Sequence, residues 1–116
     1  MAIIFHITTR AEWDKGVADG AYRPASLASE RFIHSSSRGQ VAKVADTRFR
    51  GREGLILLSI DAERVRAEIR HENLEGGREL FPHIYGELNT DAVVRAAEFG
   101  VPERGDFTLP LHSEGA

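Results

Sequence analysis

The sequence predicts a single α+β domain in which two main helices pack against a mixed, split β-sheet. Three observations support this fold class. Residues 55–60 form the most apolar run, and its short length is typical of a central strand that is covered on both faces. Thr9 with Glu12, and Ser37 with Gln40, have the spacing of helix-capping boxes. Strand-like segments then dominate the second half of the chain.

In the first half of the chain, strands and helices are expected to alternate. The capping box at Thr9 starts a helix, and Gly20 ends it because a left-handed C-terminal residue costs least without a Cβ atom. The expected order is a strand over residues 2–7, this helix over 10–19, a connection over 21–24, a helical turn over 26–30 and a strand over 31–35.

In the second half, Ser37 begins a second helix that is predicted to end at Gly51. The central strand over residues 55–60 is followed by a helical turn over 61–65. Further strands are predicted over residues 67–72, 79–88 and 92–99, the last chosen over a helix because of its two adjacent valines and its short span. Residues 1–102 are expected to form the globular domain, and residues 103–116 a partly flexible tail.

Charge and composition narrow the function classes. The formal net charge of −3 provides no global basic field, so nucleic acid is not an expected partner. The chain contains no cysteine, which excludes disulfides, thiolate catalysis and cysteine-based zinc sites. No apolar run reaches the length of a membrane span and the N-terminus lacks the features of a signal peptide, so we expect a cytoplasmic protein without membrane contact.

Three histidines lie in strand-like segments and have polar neighbours at strand spacing. On the segment 79–88, alternation places Phe81, His83, Tyr85 and Glu87 on one face. His6 is followed by Thr8, and His34 by Ser36, in the same way. Imidazole beside a hydroxyl can bind a ribose or carboxamide, or can transfer protons near neutral pH. We therefore expect the three segments to converge on one polar cleft.

Two other interpretations of these histidines stay open. Each histidine could be a hydrogen-bonded core or surface residue without a role in binding. A metal ion could also be bound by the histidines together with Glu87, but on a strand His83 and Glu87 stand far apart for one ion, and no His-Glu-x-x-His spacing occurs. We expect no metal site.

Five motifs make the chain resemble the bacterial family of domain of unknown function 952. They are His6-Ile7-Thr8, Arg23-Pro24-Ala25-Ser26-Leu27, Phe32-Ile33-His34-Ser35-Ser36, the apolar strand that ends in Asp61, and Phe81-Pro82-His83-Ile84-Tyr85-Gly86. The resemblance covers residues 3–100. It implies a fold similar to ADP-ribosyltransferases, in which a split sheet grips NAD in a central cleft.

The resemblance also implies roles for individual residues. His6 with Thr8 would bond to the nicotinamide ribose, His34 would lie against the nicotinamide, and Glu87 or His83 would orient the ribose hydroxyl or the acceptor. Ile7 stands where the first motif usually has glycine. The expected catalytic residues are thus His6, His34, His83 and Glu87, and the expected ligand-binding residues are Thr8, Arg23, Ser36 and Tyr85.

The function that follows is an ADP-ribosyltransferase-like or NAD-processing enzyme whose partner is a small nucleotide. NAD enters as a substrate, and no cofactor is certain. Breaking the nicotinamide–ribose bond requires a carboxylate or dipole for the developing cation and a general base for the acceptor. The alternatives are a non-catalytic domain of the same fold that binds a small ligand or a protein, and a metal-dependent hydrolase. The oligomeric state is left open.

Overall fold

A computed structural model of the protein describes residues 2–73 and 77–111, which form one α+β domain with three helices and three sheets. The helices are α1 (Arg10–Asp19), α2 (Ala25–Glu30) and α3 (Arg38–Arg48). The strands are β1 (Ile3–Thr9), β2 (Ala21–Tyr22), β3 (Ile33–His34), β4 (Leu55–Asp61), β5 (Glu68–Glu72), β6 (Phe81–Tyr85), β7 (Leu88–Asn89) and β8 (Val93–Phe99).

Local sequence signals determine where α1 and α3 begin. The Thr9 hydroxyl accepts a hydrogen bond from the backbone N–H of Glu12 at 3.2 Å, and Gly20 ends α1 with a φ of 81°. At α3 the capping box forms as predicted, since the Ser37 N–H donates to Gln40 Oε1 at 2.9 Å. The predicted end of α3 at Gly51 is wrong, because the helix stops at Arg48 and Gly51 lies in the following turn.

Strand β4 is the centre of the first sheet, in the order β1-β4-β8, and all seven of its residues are buried. Ile56, Leu58 and Ile60 pack on the side of α1, whereas Leu55 and Leu57 pack toward α3 and the chain's C-terminal segment. The prediction of a central strand covered on both faces is confirmed.

A second three-stranded sheet, in the order β3-β6-β5, carries two of the three histidines. His34 on β3 pairs with His83 on β6, and Ile33 pairs with Ile84. Strands β2 and β7 form a separate two-stranded sheet.

The two larger sheets meet at one isolated β-bridge between Phe5 and Ser36, whose N–H and C=O groups exchange two hydrogen bonds of 2.8 Å. We call this contact the junction. It brings the middle of β1 next to the chain segment that follows β3, and it therefore places His6 close to His34.

The prediction of a mixed sheet is wrong. Among the strands that the structure describes, every pairing is antiparallel. Alternation of strands and helices in the first half of the chain suggested parallel crossovers. In the structure α1 and α2 connect strands of different sheets, so no strand–helix–strand unit closes within one sheet. The described strands fall into three sheets.

The chain beyond β8 packs partly against the core. Val101 is buried, and Phe107, Leu109 and Leu111 contact the apolar clusters below α3. Part of the predicted flexible tail, residues 112–116, lies outside the described residues. The two adjacent glycines at residues 76–77 also predict a turn, and residue 76 of that turn lies outside the described residues. Within the described part of the chain, no helix is long and apolar enough to cross a membrane.

Candidate active site

A cavity of about 480 Å³ opens where α3, β1 and the second sheet meet. Its volume lies within the range of about 300–1,000 Å³ that is typical of small-molecule sites. His6, His34, Ser36 and His83 line the cavity, so the structure brings the three predicted histidines and one predicted serine together.

His83 has the most strongly defined surroundings of the three histidines. It is buried on β6, and its Nδ1 donates to Glu72 Oε1 of β5 at 3.0 Å. Its ring stacks on Phe32 with a centroid separation of 4.2 Å and an interplanar angle of 21°. Because an ionised carboxylate only accepts hydrogen bonds, neutral His83 carries its proton on Nδ1 and its lone pair on Nε2.

Glu72 is bonded to Tyr85 as well as to His83. The Tyr85 hydroxyl donates to Glu72 Oε1 at 2.5 Å. This hydrogen bond, followed by the one from His83, holds the pKa of Glu72 below its usual value. Glu72 therefore stays ionised near neutral pH and orients the His83 ring.

His34 faces His83 across the β3–β6 pairing, with ring centroids 5.6 Å apart and an interplanar angle of 78°. Its Nε2 forms a hydrogen bond with the carboxylate of Glu30 at the end of α2. The chain reverses at Arg31, whose φ of 73° is left-handed, and this turn brings Glu30 back to His34. Both histidines that face each other thus have a carboxylate partner.

His6 differs from the other two because both of its ring nitrogens are bonded within the protein. Burial lowers the pKa of His6 to about 4, so the ring is neutral at pH 7. Nδ1 donates to the backbone carbonyl of His34 at 2.5 Å, and Nε2 lies 2.7 Å from the Tyr22 hydroxyl. In this arrangement His6 holds the backbone of His34 and has no ring nitrogen left for a ligand.

Thr8 lies on the same face of β1 as His6, as predicted. Its Oγ1 is 2.8 Å from the Tyr22 hydroxyl, and it donates to Glu12 at 3.1 Å. Tyr22 is almost fully buried, and burial raises the pKa of its hydroxyl. Thr8 itself does not line the cavity, so it supports the wall rather than forming it.

Arg23 and Glu87 lie apart from the histidines. Arg23 Nε is 2.6 Å from Glu87 Oε2, and both side chains are about half exposed. The prediction that Glu87 continues the strand face of His83 is wrong, because β6 ends at Tyr85 and Gly86 takes a φ of 151° that redirects the chain.

Sequence reasoning missed five residues of the site, namely Tyr22, Glu30, Phe32, Glu72 and Glu79. A signal existed for Phe32, which precedes His34 at strand spacing. No sequence signal was sufficient to predict Glu72 or Glu30 as site residues. The contacts of Glu72 depend on the β5–β6 register, and those of Glu30 depend on the left-handed turn at Arg31. Within residues 2–73 and 77–111, no group of three or more metal-ligating side chains is placed to hold an ion.

Fold and site together define a small α+β protein in which paired histidines line a ligand-sized cavity at the junction of two antiparallel sheets. The chain belongs to the family described as protein of unknown function (DUF952), whose model matches residues 7–96. The five motifs predicted membership of this family, and the match confirms that prediction.

Solved structures of a relative support the same conclusion. The chain is 36% identical to protein CC0527 from Caulobacter crescentus. The crystal structure matches with a TM-score of 0.75 over 83% of this chain and 84% of that chain. The solution NMR structure matches with a TM-score of 0.75 over 86% of each chain. No curated protein matches the chain. The likeness to ADP-ribosyltransferases is not tested by these matches and stays a prediction.

Proposed function

We propose that the cavity binds NAD or a related nucleotide and that the protein is an ADP-ribosyltransferase-like or NAD-processing enzyme. One observation carries the proposal: His83 is held between the Glu72 carboxylate and the Phe32 ring in the wall of a 480 Å³ cavity. An imidazole whose tautomer is set by a carboxylate is a typical general base near neutral pH.

The aromatic side chains of the second sheet support a planar ligand group. Phe32, Phe81, His34 and His83 all line the cavity, and Phe32 contacts the rings of both histidines. Flat aromatic surfaces favour stacking by a nicotinamide or an adenine ring. The proposal therefore places a ring of the ligand on this aromatic wall, next to His83.

The chemistry proposed is cleavage of a glycosidic bond at a nucleotide ribose. Such a bond breaks with positive charge developing on the sugar, which a nearby carboxylate stabilises. Glu79 and Glu12 line the cavity, and Glu12 is already bonded to Thr8. We assign the stabilising role to Glu79 and the general-base role to His83. Glu87, paired with Arg23 outside the cavity, and His6 would then act by supporting the structure.

Ligand titration tests binding directly. NAD, ADP-ribose and nicotinamide are added separately while the histidine ring resonances are followed by NMR. We expect shifts at His34 and His83, and none at His71, which is exposed on β5 and does not line the cavity. Absence of any shift at millimolar concentration of all three ligands would reject the nucleotide proposal.

Catalysis is tested by following release of nicotinamide from NAD. The variant His83→Asn keeps a side chain of similar polarity but lacks the basic ring nitrogen, and we expect a loss of about 10²–10⁴-fold in rate. The matched variant His71→Asn should leave the rate unchanged. If the wild-type protein binds NAD but releases no nicotinamide, the enzyme proposal fails while the binding proposal stands.

The second candidate function is that of a non-catalytic domain that binds a small ligand. The part of the cavity wall without aromatic and histidine side chains of the second sheet supports this function. Phe5, Ile7, Val44 and Phe49 make that part of the wall apolar. An apolar wall contributes affinity without contributing chemistry. This candidate predicts ligand affinity without turnover, and affinity that survives His83→Asn.

A further inference from the structure

We infer that His34 carries protons between His83 and the solvent. The inference deepens the proposed function, because it assumes that His83 exchanges a proton with a ligand in the cavity. It gives the two histidines different tasks: His83 contacts the ligand, and His34 restores the protonation state of His83.

The surroundings of His83 isolate it from water. Its side chain is only 7% exposed, its Nδ1 is bonded to Glu72, and Phe32 covers one face of the ring. A ligand in the cavity would cover much of what remains. A base in this position needs a second group to pass its proton to the solvent after each proton transfer.

His34 is the titratable side chain best placed for this task. The two rings meet edge to face at a centroid distance of 5.6 Å, which is close enough for one water molecule to pass a proton between them. Its side chain is 39% exposed, and the carboxylate of its partner Glu30 is 48% exposed. His34 thus contacts both the shielded histidine and the solvent.

The position of His34 is fixed from two sides. Its backbone is paired with His83 in the β3–β6 register, and its carbonyl accepts the hydrogen bond from His6. Other titratable groups near the two rings are Glu30 from α2, Glu72 from β5, Tyr85 from β6 and His6 from β1. The same cavity is also lined by Glu12, Lys43, Arg48 and Glu79. Each of the two rings has its own carboxylate, which stabilises a positive charge on either one.

The proton steps balance without any other reactant. His83 accepts a proton from the ligand at Nε2 and becomes an imidazolium ion that keeps its bond to Glu72. It then gives the Nε2 proton to the lone pair at Nδ1 of His34. His34 releases the proton on Nε2 to the Glu30 carboxylate or to water. One proton has moved from the ligand to the solvent, and no bond other than those to hydrogen has changed.

Proton exchange at the His83 ring tests the inference in the protein without ligand. The rate at which His83 Nε2 exchanges its proton with water is measured from the ¹⁵N line broadening of that nitrogen between pH 5 and 8, in the wild type and in His34→Gln. We expect exchange to slow by about tenfold or more in the variant, because transfer through a positioned acid–base group typically gains 10²–10⁴-fold. Added imidazole should restore the rate, since it replaces the missing proton carrier.

Two controls separate this outcome from a structural effect. His71→Gln removes an exposed histidine of β5 and should leave the exchange rate at His83 unchanged. If His34→Gln does not fold, His34→Asn takes its place, because it also lacks the ring nitrogens and the same slowing of exchange at His83 is expected. Unchanged exchange at His83 in the His34 variant, or slowing that added imidazole does not reverse, would each overturn the inference. None of these results depends on whether NAD binds, which the ligand titration tests separately.

Discussion

At the scale of single residues, the three histidines that line the cavity differ in their hydrogen-bond partners and in their burial. His6 bonds to the His34 backbone and to Tyr22, whereas His34 and His83 each pair with a carboxylate. These differences could not be predicted from the sequence, because all three histidines lie in similar strand-like segments. The differences between the histidines depend on their partners Tyr22, Glu30 and Glu72. Tertiary contacts determine the positions of these partners.

His6 makes the stability of the protein depend on pH. Burial lowers the pKa of His6 from 6.5 to about 4, so between these values the unfolded chain binds a proton that the folded protein does not. Stability therefore falls as the pH is lowered through this window. We expect the free energy of unfolding to drop by about 2 kcal/mol between pH 7 and 5, measured by urea denaturation.

The variant His6→Gln is the control for this pH dependence. It should lose most of the slope between pH 7 and 5 while being less stable at pH 7. Glu72 does not interfere, because its lowered pKa affects stability only below its ordinary value of 4.5. A slope that is equally steep in His6→Gln would show that another group is responsible.

Tyr85 is expected to control the ionisation of Glu72. Its hydrogen bond is the largest cause of the lowered pKa of Glu72, so Tyr85→Phe should raise that pKa toward its usual value. The carboxyl ¹³C resonance of Glu72 measures the change. Tyr22→Phe, which removes a hydroxyl bonded elsewhere, should leave the Glu72 titration in place.

At the scale of elements, predictions from the sequence succeeded where the signal is local. Helix α1, the capping box of α3 and the central strand β4 follow from caps and from an apolar run. The two-residue strand β2 was expected as a connection, and β3 is shorter than expected, because such short strands exist only through their partners β7 and β6. The antiparallel pairing likewise depends on which sheet each strand joins.

Two helix glycines provide a matched test of packing between elements. A Cβ atom added at Gly16 of α1 would lie 3.1 Å from Cα, Cβ and Cδ1 of Tyr22, whereas one added at Gly39 of α3 would meet nothing within 4 Å. We expect Gly16→Ala to destabilise the protein by about 1–3 kcal/mol through overpacking. Gly39→Ala should stabilise it by about 0.4–1 kcal/mol.

Thermal unfolding of the two alanine variants measures both effects. Because Tyr22 bonds to His6, Gly16→Ala should also shift the ring resonances of His6, and Gly39→Ala should not. If both substitutions stabilise the protein, α1 has room to move away from β2 and the packing argument is wrong.

At the scale of the whole molecule, Arg50 connects the end of α3 to the C-terminal segment, residues 101–111. Its Nη1 donates to the carbonyls of Pro102 and Gly105 at 3.2 and 2.7 Å, and its guanidinium lies 5.0 Å from the centre of the Phe107 ring. We expect Arg50→Ala to lower the free energy of unfolding by about 1–2 kcal/mol. Amide hydrogen exchange in residues 101–111 should become faster.

The matched variant Arg104→Ala removes an exposed arginine from the same segment. It should change neither the stability nor the exchange of residues 101–111. Equal effects of the two variants would indicate that charge, rather than the contacts of Arg50, determines how this segment packs.

The junction between the two larger sheets has a consequence for how the molecule opens. Few backbone hydrogen bonds cross it, chiefly the pair between Phe5 and Ser36, so the two sheets are held together mainly by the apolar cluster that contains Ile4, Ile33 and Ile84. We expect partial opening of the molecule to separate the sheets at this junction. The cavity lies across the junction, and a ligand that touches both sheets binds only the closed form. Such a ligand raises the free energy of that partial opening. Binding is then measurable as slower exchange at amides of β5 and β6 that the ligand does not contact.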